Sequence, residues 1–294
     1  MNYRHIFHAG NFADVFKHAV LARILVHLAE KPQAFRVIDT HAGSGLYDLS
    51  GAQANRTGEW RDGIGRLIDA ALADDVRALL APYLDALAAL NPAMSSAPAD
   101  DVRPARSKIR RYPGSPLLAL ELMRRQDRLT ACELEPHAAA ALTRHLGHDK
   151  RAKAIAIDGW QALNAYVPPV ERRGVVLIDP PFEDADEFDK LAARLGAAHR
   201  KWSTGTYVVW YPIKGSEPVA FIRRLRQAAL PKLLRAEMHI AAAQSDKFTG
   251  SGLVIVNPPW RLQDELKILL PGLLCALQYE RSGRSVIEQT GDKI

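Results

Sequence analysis

Seven short apolar runs, rich in β-branched residues and each stopped by an acid, a glycine or a proline, constrain the fold of this chain more than any other feature. They are AFRVIDT (34–40), LTACELE (129–135), KAIAIDG (153–159), GVVLIDPP (174–181), TYVVWYP (206–212), AEMHIAAA (236–243) and SGLVIVNPP (251–259). Short apolar runs bounded in this way read as strands, and strands buried on both faces lose the apolar/polar alternation of a half-exposed sheet. Between several of them lie segments with helical spacing, such as PLLALELMRRQ (116–126), PHAAAALTRHLG (136–147) and EFDKLAARLGAAHRKW (187–202). Strand and helix in alternation build βαβ units, so the chain is read as α/β, a mostly parallel sheet with helices on both faces.

One stretch breaks the rhythm. Over roughly 50–112 the apolar residues Ile64, Leu67, Ile68, Leu72, Val76, Leu79, Leu80, Leu84, Leu87 and Leu90 fall in helical stripes, followed by a return rich in Pro, Ala and Ser. This predicts a helical insertion at 50–112 within a main domain made of 1–49 and 113–294. Ahead of the first strand, NFADVFKHAVLARILVHLAE reads as an amphipathic helix that Asn11 caps.

With 294 residues, 48% of them hydrophobic, the chain has ample material for a large core. Its 39 basic and 33 acidic side chains leave a formal charge of +6, which favours a polyanionic partner such as nucleic acid. Cys132 and Cys275 make neither a disulfide framework nor a metal-ligand pattern, so a reducing compartment is expected and no metal. The N-terminal residues lack the apolar block of a signal peptide, and no run reaches the ~20 apolar residues of a membrane span. The expectation is a cytoplasmic, soluble protein, monomeric by default, with no membrane partner.

In an open parallel sheet ligands bind beyond the carboxyl ends of the strands. Four runs end in an acid there: Asp39, Glu133, Asp158 and Asp179. Acids do punctuate strands for structural reasons alone, but four together suit a ligand with several hydroxyls and amines. After Asp39 comes DTHAGSG, where Gly43 and Gly45 let the backbone approach a ligand closely; Asp48 replaces the third glycine of a dinucleotide fingerprint, which disfavours a nicotinamide oxidoreductase. The strongest signal is DPPF at 179–182. Two prolines make a stiff turn with free carbonyls, an ionised Asp only accepts, and an aromatic ring offers a stacking face. Asp179 and the carbonyl of Pro180 can together take both hydrogens of an exocyclic amine while Phe182 holds the ring, aiming the nitrogen lone pair at a methyl donor.

With DTHAGSG as glycine motif and DPPF as tetrapeptide, the chain resembles the class I S-adenosylmethionine-dependent N6-adenine methyltransferases. More narrowly it is similar to the bacterial 23S ribosomal RNA methyltransferase J family, through YRHIFHAGNFADVFKH, RTGE, RYPGSP, RRGVVLIDPPFE, WYPI and SGLVIVNPPW. The resemblance implies a Rossmann-like domain whose seven-stranded sheet has its last strand antiparallel. It also implies S-adenosylmethionine as cofactor and an adenine of 23S rRNA, free or partly assembled, as substrate. By resemblance Asp179 is the catalytic acid, and Glu133 accepts from the cofactor's ribose. Asp158 and Gly159 contact its adenine, His18 and His41 line its pocket, Lys17 lies near its carboxylate, Ser115 is a further contact, and Tyr3 touches RNA. Read structurally instead, Ser115 before Pro116 fits a helix N-cap, His18 fits a surface helix and Tyr3 fits a hydrophobic staple. Phe182 stands where the family commonly has tyrosine, which keeps the ring and loses the phenol. Arg103, Arg106, Lys108, Arg110 and Arg111 form a basic cluster for phosphates or a solvated loop. NPPW (257–260) repeats the tetrapeptide pattern, and in this architecture it closes the antiparallel strand, so it is assigned a structural role. The rivals are a DNA adenine methyltransferase and a non-catalytic RNA-binding Rossmann protein.

Overall fold

The computed structural model describes residues 5–94, 105–184, 186–228, 230–242, 248–278 and 282–290. Its strands are β1 (Arg36–Asp39), β2 (Leu46–Asp48), β3 (Arg111–Pro113), β4 (Arg128–Glu133), β5 (Ala152–Ala156), β6 (Gly174–Ile178), β7 (Thr206–Ile213), β8 (Leu233–His239), β9 (Gly250–Val256) and β10 (Arg284–Thr290). Eight of them form one sheet in the order β10-β8-β9-β7-β6-β1-β4-β5. Strands β5, β4, β1, β6 and β7 pair in parallel, whereas β9 runs antiparallel to both β7 and β8. The doubly wound architecture with an antiparallel late strand is thus present, with one strand more than expected. The addition is β10, which pairs antiparallel with β8 along the sheet edge. Its sequence RSVIEQT is half-buried throughout and largely polar, so it carries none of the continuous apolar signal that marked the inner strands.

Successive residues of the inner strands feed two cores, as the pleat requires. Val37, Val175 and Leu177 face the core beneath the first helix (Phe12–Ala29), while Ile38, Val176 and Ile178 face the core beneath the helix Glu187–Lys201. Asn11 caps the first helix, its Oδ1 accepting from the N–H groups of Ala13 and Asp14 at 3.0 Å. That helix is not amphipathic: every residue from Phe12 to Leu25 is buried, including Asp14, Lys17, His18 and Arg23. Its charged residues are tolerated because each finds a partner across the fold; Arg23, for instance, donates two hydrogen bonds to Glu265 at 2.8 and 2.9 Å.

Residues 52–90 are helical, in four segments of which Asp74–Leu90 is the longest. Ile64, Leu67, Val76, Leu80, Tyr83 and Leu87 pack into the same core as the first helix. The excursion leaves and returns through the β2–β3 pair, with Tyr47 opposite Tyr112. Gly63 allows its closest approach to the main body, because a Cβ there would lie 2.1 Å from the Gly10 carbonyl.

Candidate active site

A cleft of about 1360 Å³ opens where β1, β4, β5 and β6 end, lined among others by His41, Gly43, Glu133, Asp158 and Asp179. Three of the four acidic strand ends therefore face one cavity. The fourth, Asp39, is buried behind them and accepts a 2.6 Å hydrogen bond from the Ser115 hydroxyl. Burial pushes the Asp39 carboxyl up to about 7, with the Asp179 charge adding to the effect and Ser115 opposing it. Ser115 lines the cleft, but it does not cap its helix: Gly114 occupies the cap position of Ser115–Leu122 and makes no side-chain cap bond.

The glycine loop is tied to the acid of β4. Gly43, at φ 61°, donates its N–H to Glu133 Oε2 at 2.8 Å, and Glu135 donates to Glu133 Oε1 at the same distance. A side chain at 43 would also collide with the Tyr47 hydroxyl, 2.2 Å from the Cβ position. The carboxylate is thereby fixed, with its remaining lone pairs open to hydroxyl donors. Asp158 caps the helix Gly159–Ala165 through a 2.9 Å bond from Gln161 N–H, and Gly159 packs so closely on His41 that a Cβ would lie 2.5 Å from its Nε2.

At the other end of the cleft an ion-pair chain crosses the fold. His5 Nε2 lies 2.9 Å from Asp14, Lys17 Nζ lies 2.8 Å from Asp14 and 2.5 Å from Asp179 Oδ2. Burial works against the Lys17 ammonium, yet Asp14 and Asp179 more than offset it and raise Lys17 above its ordinary value. Burial likewise works against the Asp14 carboxylate, and His5 and Lys17 hold it well below the usual range. Asp179 is thus paired at one oxygen and directed into the cleft, with Pro180 beside it.

His18 is fully buried, not a surface residue, and lines the cleft. Desolvation lowers it to about 3, and lowers His41 to about 4, so both rings are neutral near pH 7. Phe182 stands apart from this group. At φ 51° its ring packs on Phe188 and Trp210, with centroids 4.8 and 5.6 Å away, and it is absent from the cleft lining. Tyr3 and Arg103 lie outside the described residues; Arg106 pairs with Asp69 at 3.1 Å.

Among the residues of the cleft wall that sequence reasoning missed, three stand out by their contacts. Trp160 stands edge-on to His41 with centroids 5.3 Å apart, Tyr47 closes the glycine loop, and Glu187, 5% exposed, keeps Oε1 without a hydrogen-bond partner among the described residues. Trp160 lies in the first turn of the helix that follows β5, a position that could have flagged it. The second Pro-Pro stretch lies elsewhere. Val256 pairs with Tyr207 at the start of β7, while Ile178, next to Asp179, pairs with Val209 further along, so Asn257 emerges at the opposite end of the sheet.

A family model described as ribosomal RNA large subunit methyltransferase D, RlmJ, matches residues 32–288. The chain belongs to the RlmJ family. Two proteins called ribosomal RNA large subunit methyltransferase J resemble it over 290 residues, 98% of each chain: that of Haemophilus influenzae at 37% identity and that of Escherichia coli K12 at 36%. The crystal structure of protein LPL1258 from Legionella pneumophila superposes with a TM-score of 0.84 at 34% identity, covering 97% of this chain and 99% of its own. Matches spanning nearly whole chains carry the RlmJ assignment across the excursion at 52–90 as well as the sheet. Among the described residues no group of His, Cys, Asp and Glu is placed to hold a metal ion, and no helix is long and apolar enough to cross a membrane.

Proposed function

We propose that the protein transfers a methyl group from S-adenosylmethionine to the N6 amino group of an adenine in 23S rRNA. Family membership makes it an S-adenosylmethionine-dependent methyltransferase of large-subunit ribosomal RNA, and gives no support to the DNA or non-catalytic alternatives. The adenine amine as acceptor is our reading of the site. The observation that carries it is the convergence of Asp179, Gly43 and Glu133 on one cleft.

The donor set suits the cofactor. Glu133 is held by two backbone N–H groups with lone pairs left for a ribose diol, and Asp158 with Gly159 borders the space for an adenine. Lys17, Ser115, His18 and His41 line the remainder, and the buried Nε2 of His18 has no partner among the described residues. When bound, S-adenosylmethionine supplies a methyl group already activated by its sulfonium. The chain's own residues orient the other reactant. Lys17 holds Asp179 in place through its 2.5 Å bond to Oδ2, so Asp179 Oδ1 and the Pro180 carbonyl accept the two hydrogens of the amine and turn its lone pair toward the methyl carbon. The amine becomes strongly acidic on attack, and Asp179 or adjoining water takes its proton.

A base inside a helix cannot reach this cleft, so the target is read as unstacked and turned out of an RNA loop, in free or partly assembled 23S rRNA. The basic cluster Arg103, Arg106, Lys108, Arg110 and Arg111 is a candidate for phosphates, with Arg106 already paired to Asp69, and Tyr3 is assigned to the RNA itself. We place the protein in the cytoplasm and take it to act as a monomer. Incubation with S-adenosylmethionine labelled in the methyl group, followed by nucleoside digestion, tests the reading: N6-methyladenosine should appear from a 23S transcript and not from duplex DNA. Label in another nucleoside, or equal labelling of DNA, would refute it.

A further inference from the structure

Two of the histidines that line the cleft, His41 and His18, are each hydrogen-bonded at Nδ1 to a hydroxyl whose own partners decide where the proton lies. For His41 the hydroxyl is Thr40 Oγ1, 2.8 Å from Nδ1 and 2.9 Å from the Leu177 carbonyl oxygen. A carbonyl only accepts, so the Thr40 hydrogen points to Leu177 and its lone pair faces His41. His41 must then be protonated at Nδ1, which leaves Nε2 as a bare acceptor. That nitrogen sits against Gly159, where any Cβ would cover it at 2.5 Å.

For His18 the hydroxyl belongs to Tyr112, 2.8 Å from Nδ1, and Tyr112 is in turn 3.0 Å from the hydroxyl of Tyr83. Both tyrosines are fully buried. If His18 Nδ1 carried the proton, Tyr112 would donate to Tyr83, and both the Tyr83 hydrogen and the Nε2 lone pair would be buried without a partner among the described residues. Run the other way, Tyr83 donates to Tyr112, Tyr112 donates to Nδ1, and every hydroxyl hydrogen is used. The second arrangement protonates His18 at Nε2, a buried atom that has no partner among the described residues, on a residue that lines the cleft.

We propose that His18 and His41 are held as opposite neutral tautomers, so that one wall of the cleft offers an N–H donor and the other a lone-pair acceptor to a zwitterionic ligand. Tyr83, Tyr112 and Thr40 are the positioning residues that impose this. The ligand half of the proposal rests on the cofactor reading above: an acceptor such as a carboxylate oxygen belongs at His18, and an N–H or O–H donor at His41. Tyr83 lies on the helix Asp74–Leu90 and Tyr112 in β3, so the excursion that interrupts the sheet reaches the cofactor site through a proton chain.

Long-range proton–nitrogen correlation spectra of the ¹⁵N-labelled full chain report imidazole tautomers directly, with His18 and His41 assigned by loss of their signals in His18→Gln and His41→Gln. The wild type should show His18 protonated at Nε2 and His41 at Nδ1. The same tautomer at both, or the reverse pair, would overturn the proposal. In Tyr112→Phe the His18 pattern should become an average of the two tautomers and the affinity for S-adenosylhomocysteine should fall about tenfold by calorimetry, the loss of one net hydrogen bond. Thr40→Val should do the same to His41 alone. An unchanged His18 pattern in Tyr112→Phe, or an unchanged His41 pattern in Thr40→Val, would refute the corresponding relay. Tautomers as assigned in a wild type that fails to bind S-adenosylhomocysteine would overturn the ligand half together with the cofactor reading, and leave the tautomer half standing.

Discussion

DPPF at 179–182 and NPPW at 257–260 are the same motif by eye, an apolar strand halted by a polar residue, two prolines and an aromatic ring. The fold separates them by strand direction alone. β6 is parallel to its neighbours, so Asp179 arrives at the end of the sheet where the cleft opens; β9 is antiparallel, so Asn257 arrives at the other end. Their surroundings follow. Asp179 is partly buried in an ion pair with Lys17, whereas the Asn257 side chain donates to the Ser203 and Gly205 carbonyls at 2.8 Å and Trp260 is 84% exposed. Asn257 has φ 52°, a left-handed conformation for which asparagine is one of the better residues. A motif of this kind is chemical only where the topology delivers it.

The comparison can be broken from either side. Lys17→Met should have the largest effect on stability, because it leaves Asp14 buried without its ammonium; denaturant titration should record a loss of roughly 3–5 kcal/mol. Asp14 is held low in the folded state, so its pairing contributes stability at pH above the ordinary carboxylate value, and that stability is lost as pH falls below this value toward the lower folded one. The acid-induced drop in stability of the wild type should therefore be shallower in Lys17→Met. Glu133→Ala comes next: it removes the acceptor and orphans two N–H groups, and the S-adenosylhomocysteine dissociation constant should rise about 10- to 100-fold by calorimetry. Asn257→Ala should cost about 1–3 kcal/mol in the same denaturant assay, from two lost carbonyl partners and a strained backbone, while methyl transfer per folded molecule stays unchanged. A folded but inactive Asn257→Ala would show that the two motifs had been assigned the wrong way round. Trp260→Ala should be smallest, within about 0.5 kcal/mol and silent in turnover.

How far the sequence carried depended on where each residue's partners lie along the chain. The inner strands were legible because burial on both faces writes a continuous apolar run, and their acidic ends marked the cleft. β10 was not, since an edge strand with half-buried polar residues looks like a tail. The first helix misled: it reads as amphipathic, and His18 as a surface residue, until Asp179, Tyr112 and Glu265 are brought to Lys17, His18 and Arg23 from far along the sequence. Ser115 before Pro116 had the look of a cap, and only the tertiary fold reveals Asp39 as the acceptor of its hydroxyl. The tyrosine pair behind His18 is equally invisible in one dimension, because Tyr83 and Tyr112 sit on different elements and each alone reads as core. Phe182 shows the converse: its residue type suggested a stacking face for the base, whereas with φ 51° the ring packs on Phe188 and Trp210.

Under the proposed function, Asp179 orients the acceptor amine without holding the cofactor. Single-turnover methyl transfer by Asp179→Ala, measured beside the calorimetric affinity of the same preparation for S-adenosylhomocysteine, addresses that directly. The rate should fall by at least about 10²–10³-fold with the affinity within about threefold of wild type. A near-normal rate, or a rate and an affinity that collapse together, would contradict the assignment.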